Sequence, residues 1–113
     1  MTMAEIIINF NELILGEKKL FAGRANGRKA CEKFNVQSFK PYTNDILSFK
    51  LPMNIVVSSS YFLGMLENVI SKYDSPSELF KQIIINGKPY AEGDYVELDR
   101  AIKRGLHKNE SFF

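Results

Sequence analysis

A chain of 113 residues with 45% apolar and 25% charged residues has the size and make-up of one globular domain. One cysteine and one histidine exclude a disulfide framework and leave any metal site short of ligands. No apolar run reaches the ~18–20 residues needed to cross a bilayer, and Glu5 ahead of Ile6-Ile7-Ile8 argues against a secretory signal, so no membrane partner and a cytoplasmic location are expected.

The net charge of +2 does not imply nucleic acid, and nucleic-acid binding is not expected. Lys18, Lys19, Arg24, Arg28 and Lys29 make the first third basic, and Lys103, Arg104 and Lys108 do the same near the C-terminus. Without interleaved aromatic residues, solvated faces account for both groups.

In chain order, Ile6-Ile7-Ile8-Asn9-Phe10 is a β-branched run suited to a buried strand, and Leu13-Ile14-Leu15 reads as its continuation or a paired strand before a turn at residues 16–19. Residues 23–34 predict a helix with Ala30, Cys31 and Phe34 on its apolar side; Cys31 there is a small buried hydrophobe. Gly27, inside that helix, costs about 1 kcal/mol relative to alanine and suggests close packing or the approach of a ligand. Residues 35–44 read as a loop.

Ile46-Leu47-Ser48-Phe49 predicts a second strand, closed by the turn Leu51-Pro52-Met53-Asn54, and Ile55-Val56-Val57 is expected in or beside a central strand. Residues 60–73 carry the clearest helical stripe, with Phe62, Met65, Leu66, Val69, Ile70 and Tyr73 on one face and Glu67, Asn68, Ser71 and Lys72 on the other. Ser75-Pro76-Ser77-Glu78 predicts a capping box for a short helix through Phe80. Ile83-Ile84-Ile85 predicts a third strand stopped by Asn86-Gly87, and Asp94 is the candidate cap of a last helix whose Leu98, Ala101 and Ile102 face inward before Gly105 ends it. His107, near that helix end, has an ordinary solvated or dipole-facing role. Strands alternating with helices give an α/β fold. The domain is expected over residues 1–108, with 109–113 a C-terminal tail whose two phenylalanines could dock on the fold or on another subunit.

The candidate site lies where the apolar run ends in Ser58-Ser59-Ser60-Tyr61. A serine at such a junction caps the helix with its side-chain oxygen, yet one cap needs one serine. A further hydroxyl at the positive end of a helix dipole is an accessible phosphoacceptor. Tyr61, pointing outward, would supply an aromatic anchor of the type found at interface centres, so Ser58 and Tyr61 are expected partner contacts. Upstream, Arg24-Ala25-Asn26-Gly27-Arg28 could hold an anion at a helix start through Arg24, Gly27 and Arg28, with an exposed capping turn as the plainer alternative.

Two segments resemble a known family: Phe21-Ala22-Gly23-Arg24-Ala25-Asn26-Gly27-Arg28-Lys29-Ala30, and Asp45-Ile46-Leu47-Ser48-Phe49 followed by residues 56–66. They look like the first-helix start and the strand, turn, serine pair and helix of STAS domains, named for sulfate transporters and anti-sigma-factor antagonists. In particular they look like a small prokaryotic STAS-like family, over roughly residues 5–106. That resemblance implies a small mixed β-sheet with helices packed largely on one side and the serine junction at its rim. In anti-sigma-factor antagonists the serine after an aspartate at this junction is phosphorylated by an ATP-binding kinase partner. By position the acceptor falls on Ser59, with Ser60 beside it, although Ser58 stands in place of the aspartate and Tyr61 in place of a glycine.

No activated nucleophile with a base and orienting acid can be assembled from these residues, and neither Gly-x-Ser-x-Gly nor a strict phosphate-binding glycine loop is present. The expectation is therefore a non-enzymatic regulatory module without cofactor or metal, which binds a protein partner, by resemblance a histidine-kinase-like ATPase, in a partner-switching role. Two other readings stay open: a small nucleotide- or phosphate-responsive domain using Arg24 and Arg28, and an oligomer-forming structural protein assembled through its aromatic tail.

Overall fold

A computed structural model describes residues 4–14, 16 and 19–107. Ile6, Ile7 and Ile8 lie in β1 (Glu5–Asn9), where β-branched side chains suit the pleated strand. β1 pairs in parallel with β3 (Ile46–Lys50), β3 in parallel with β5 (Ile83–Ile85), and β5 antiparallel with β6 (Lys88–Pro89). The result is a four-stranded mixed sheet in the order β1-β3-β5-β6. Both parallel connections step the same way across the sheet, and right-handed crossovers of that kind put their helices on one face. The period-2 burial agrees, because Ile6, Ile8, Leu47 and Phe49 enter the core while Ile7, between two of them, is 45% exposed on the other face.

The helices are α1 (Arg24–Lys33), α2 (Ser59–Ile70), α3 (Pro76–Phe80) and α4 (Val96–His107). α2 packs against both α1 and α4 and is apolar nearly all round, burying Phe62, Leu63, Met65, Leu66, Val69 and Ile70. Each such side chain contributes roughly 1.5–3 kcal/mol by leaving water, so this one helix anchors the domain. The protein is an α/β fold, a small mixed sheet with its helices on one side.

Two polar side chains tie the strand ends. Gln82, just before β5, donates from Nε2 to the carbonyls of Thr43 at 3.0 Å and Asp45 at 2.8 Å, and accepts from the Tyr42 amide at 2.9 Å and from the Tyr73 hydroxyl. Asn86, after β5, accepts from the Leu51 amide at 2.9 Å and donates to its carbonyl at 3.1 Å. Both are buried or partly buried bonds whose loss would strand backbone groups.

Several local expectations are corrected. Residues 10–13 form a 3-10 turn rather than more strand, because the Asn9 side chain accepts from the Asn11 amide and Phe10 turns into the core. Val56 and Val57 form β4, which pairs not with the central sheet but with β2 (Leu20–Phe21), a two-residue strand too short to give a sequence period. Within the expected loop, Val36–Ser38 is a 3-10 turn. Ser75 makes no capping bond to α3; its hydroxyl instead meets that of Ser77 at 3.2 Å. Asp94 folds back to accept from the Ala91 amide at 2.9 Å rather than capping α4. Gly105 does not end α4, which runs on to His107, because that glycine seats the helix against Ile70. Leu15, Lys18 and the expected tail at 109–113 lie outside the described residues.

Candidate functional site

α2 begins where β4 ends, and the three serines divide between the two elements. The Ser58 amide donates to the Phe21 carbonyl at 2.9 Å, which continues the β2–β4 pairing by one residue. Its Oγ accepts from the Tyr61 amide at 3.2 Å, and its carbonyl accepts from the Phe62 amide at 3.2 Å, so Ser58 is the N-cap of α2. Ser59 and Ser60 occupy the first turn, are half-buried, and their hydroxyls make no hydrogen bond among the described residues. The hydroxyl of Ser58 is therefore committed to backbone, while those of Ser59 and Ser60 are available.

Tyr61 does not point outward. It is 3% exposed, with its ring edge-on to Phe21 at 5.6 Å and tilted against Phe10 at 6.0 Å, and burial pushes its hydroxyl above the ordinary tyrosine range. The expected partner contact at Tyr61 is thus corrected: an aromatic one helical turn before Met65 falls on the core stripe once α1 and β2 close over that side of α2.

Arg24, Gly27 and Arg28 do not form an open anion site. Arg24 Nη2 donates to Glu67 Oε1 at 2.8 Å and Arg28 Nε donates to Glu67 Oε2 at 2.7 Å, so one carboxylate from α2 bridges both arginines of α1. The Glu67 side chain is only 11% exposed. The Arg28 hydrogen bond, opposed by burial and reinforced by Arg24, holds its carboxyl down at about 2. The same bond raises the Arg28 guanidinium. Gly27 admits a helix rather than a ligand, since a β-carbon there would stand 2.0 Å from the Tyr61 carbonyl oxygen. Spacing of four on α1 placed the two arginines together; nothing local pointed to Glu67 as their partner.

Beside the serines the structure exposes apolar side chains that the sequence reading did not single out. Leu20 and Val56 are direct partners across the β2–β4 pair and are 57% and 59% exposed, and Met53 in the preceding turn is fully exposed. Strand alternation could have found half of this ledge, because Val57 is the inward residue and Val56 must then face out. Leu20 follows only from its pairing.

A cleft of about 280 Å³ lies between the α1–α2 bridge and the turn after α1, lined by Arg28, Cys31, Glu32, Gln37, Gly64, Glu67 and Asn68. The Cys31 thiol there lies 3.6 Å from Gln37 Oε1 and burial pushes it up, which lowers its reactivity. Among the described residues no cluster of three or more metal-ligating side chains occurs, and no helix is long and apolar enough to cross a membrane. No family model, curated protein or solved structure matches this chain.

Proposed function

We propose that this chain is a non-enzymatic regulatory module of the cytoplasm that binds a protein partner at the start of α2, in the manner of the STAS-like proteins its sequence resembles. The observation that carries the reading is the division among the serines: Ser58 caps the helix, and Ser59 and Ser60, at the positive end of a twelve-residue helix, have hydroxyls with no hydrogen bond among the described residues. The exposed Leu20, Val56 and Met53 take the place of Tyr61 as the apolar part of the contact. A phosphate on Ser59 or Ser60 would add about −1.5 to −2 charges beside that ledge, a change of charge and size that releases or recruits a partner while the free amides of the helix start tolerate it. The partner favoured by the resemblance is a histidine-kinase-like ATPase.

Incubation with ATP and a kinase-like ATPase encoded by a neighbouring gene tests this. The expected product carries one phosphate on Ser59 or Ser60 by mass spectrometry. Val56→Asp should abolish complex formation without altering the circular dichroism spectrum. A partner that binds and hydrolyses ATP yet leaves both serines unmodified would end the switch idea, and binding indifferent to Val56→Asp would remove the ledge. The nucleotide-responsive alternative predicts micromolar nucleotide binding lost in Arg24→Ala; it has little support while Glu67 occupies both guanidiniums.

A further inference from the structure

The sheet face opposite the helices carries a pattern of its own. In-register residues on that face form three rows across the strands: Glu5 with Ile46, then Ile7 with Ser48, Ile84 and Pro89, then Asn9 with Lys50. Ile7 and Pro89 are exposed, Ile46 and Ile84 half-buried, and Ser48 is buried, so the central row presents isoleucine and proline to solvent. Glu5 at one end and Lys50 at the other are both exposed.

We propose that this face pairs two copies of the chain, sheet against sheet, with the strands of one copy running opposite to those of the other. The charge pattern selects that occupant. A two-fold axis along the central row sets each Ile7 row on its counterpart and lays the Glu5–Ile46 row over the partner's Asn9 and the partner's Lys50. Acid at one end and base at the other then become complementary, which is the requirement for an isologous contact. Strands running the same way would instead stack like charges. A membrane surface or a nucleic acid would call for one sign of charge, and this face carries both.

Strands of five, five, three and two residues make a patch no larger than roughly 19 by 16 Å. Two such patches, facing each other, bury less than the roughly 1,200–2,000 Å² of stable complexes, so the dimer is weak and concentration-dependent. Its position, across the sheet from α2, leaves the serine junction free, and it does not depend on the function proposed above.

Sedimentation velocity on the full chain from about 10 µM to about 1 mM tests it. The expected result is a reversible monomer–dimer equilibrium weakened about tenfold by Ile7→Thr, which keeps a β-branched residue in the strand. Glu5→Lys alone and Lys50→Glu alone should each weaken it several-fold, and the double exchange should restore it to within about twofold. Circular dichroism and urea midpoints of all four variants check that the fold is intact. A wild type that stays monomeric at 1 mM, a dimer indifferent to Ile7→Thr, or a double exchange no better than the single ones would each overturn the proposal.

Discussion

Gly64 of α2 lies so close to Arg24 of α1 that a β-carbon on it would stand 2.0 Å from the Arg24 carbonyl oxygen, and Gly27 of α1 makes the same approach to the Tyr61 carbonyl. The two glycines let the helix backbones touch, and that contact sets Arg24 and Arg28 within reach of Glu67. Interior glycine costs a helix about 1 kcal/mol, a local loss offset by close packing. Gly64→Ala and Gly27→Ala should therefore each destabilise the protein by about 1–3 kcal/mol in urea unfolding, despite the better helix former. Unchanged or raised stability in either variant would mean that the helices separate at no cost.

Glu67 supplies a pH dependence whose sign is fixed by its direction of shift. Its folded value of about 2 lies below the ordinary 4.5, so its contribution is complete above about pH 5 and is lost as the pH falls through 4.5 toward 2. Because the arginines are partly solvated, that contribution is roughly 1–2 kcal/mol. Between pH 6 and pH 3 the wild type should lose more stability than Glu67→Gln by rather more than half of that amount. Parallel stability curves for the two proteins would contradict the bridge.

The three serines should separate in unfolding experiments. Ser58→Ala removes the cap of α2 and is expected to cost about 1 kcal/mol, whereas Ser59→Ala and Ser60→Ala should stay within about 0.5 kcal/mol. Equal effects at all three positions would show that Ser58 has no special place.

Tyr61 predicts an outcome opposite to that of a surface anchor. Its ring packs on Phe10 and Phe21, so Tyr61→Ala should cost about 3–5 kcal/mol, and Tyr61→Phe should keep the ring contacts and most of the stability. A stable Tyr61→Ala protein that merely failed to bind a partner would restore the outward-facing reading.

The residues themselves determined the class of fold and the position of the candidate site. Isoleucine runs at residues 6–8 and 83–85, the largely apolar run at 46–49, the apolar stripe from Phe62 to Ile70, and serines before a helix are local patterns, and a period of 2 or 3.6 survives in any environment that offers one apolar side. Sequence also showed that one serine would cap α2 and leave others over. The tertiary structure alone decided which side of Tyr61 is covered, that Arg24 and Arg28 hold a carboxylate 43 and 39 positions away, and that two residues at 20–21 become a strand by pairing with two at 56–57. Each of these depends on which elements meet after the chain has crossed the sheet. Contacts of that separation leave no periodic trace in either segment, because their geometry is set by the packing of the helices and not by the neighbours along the chain.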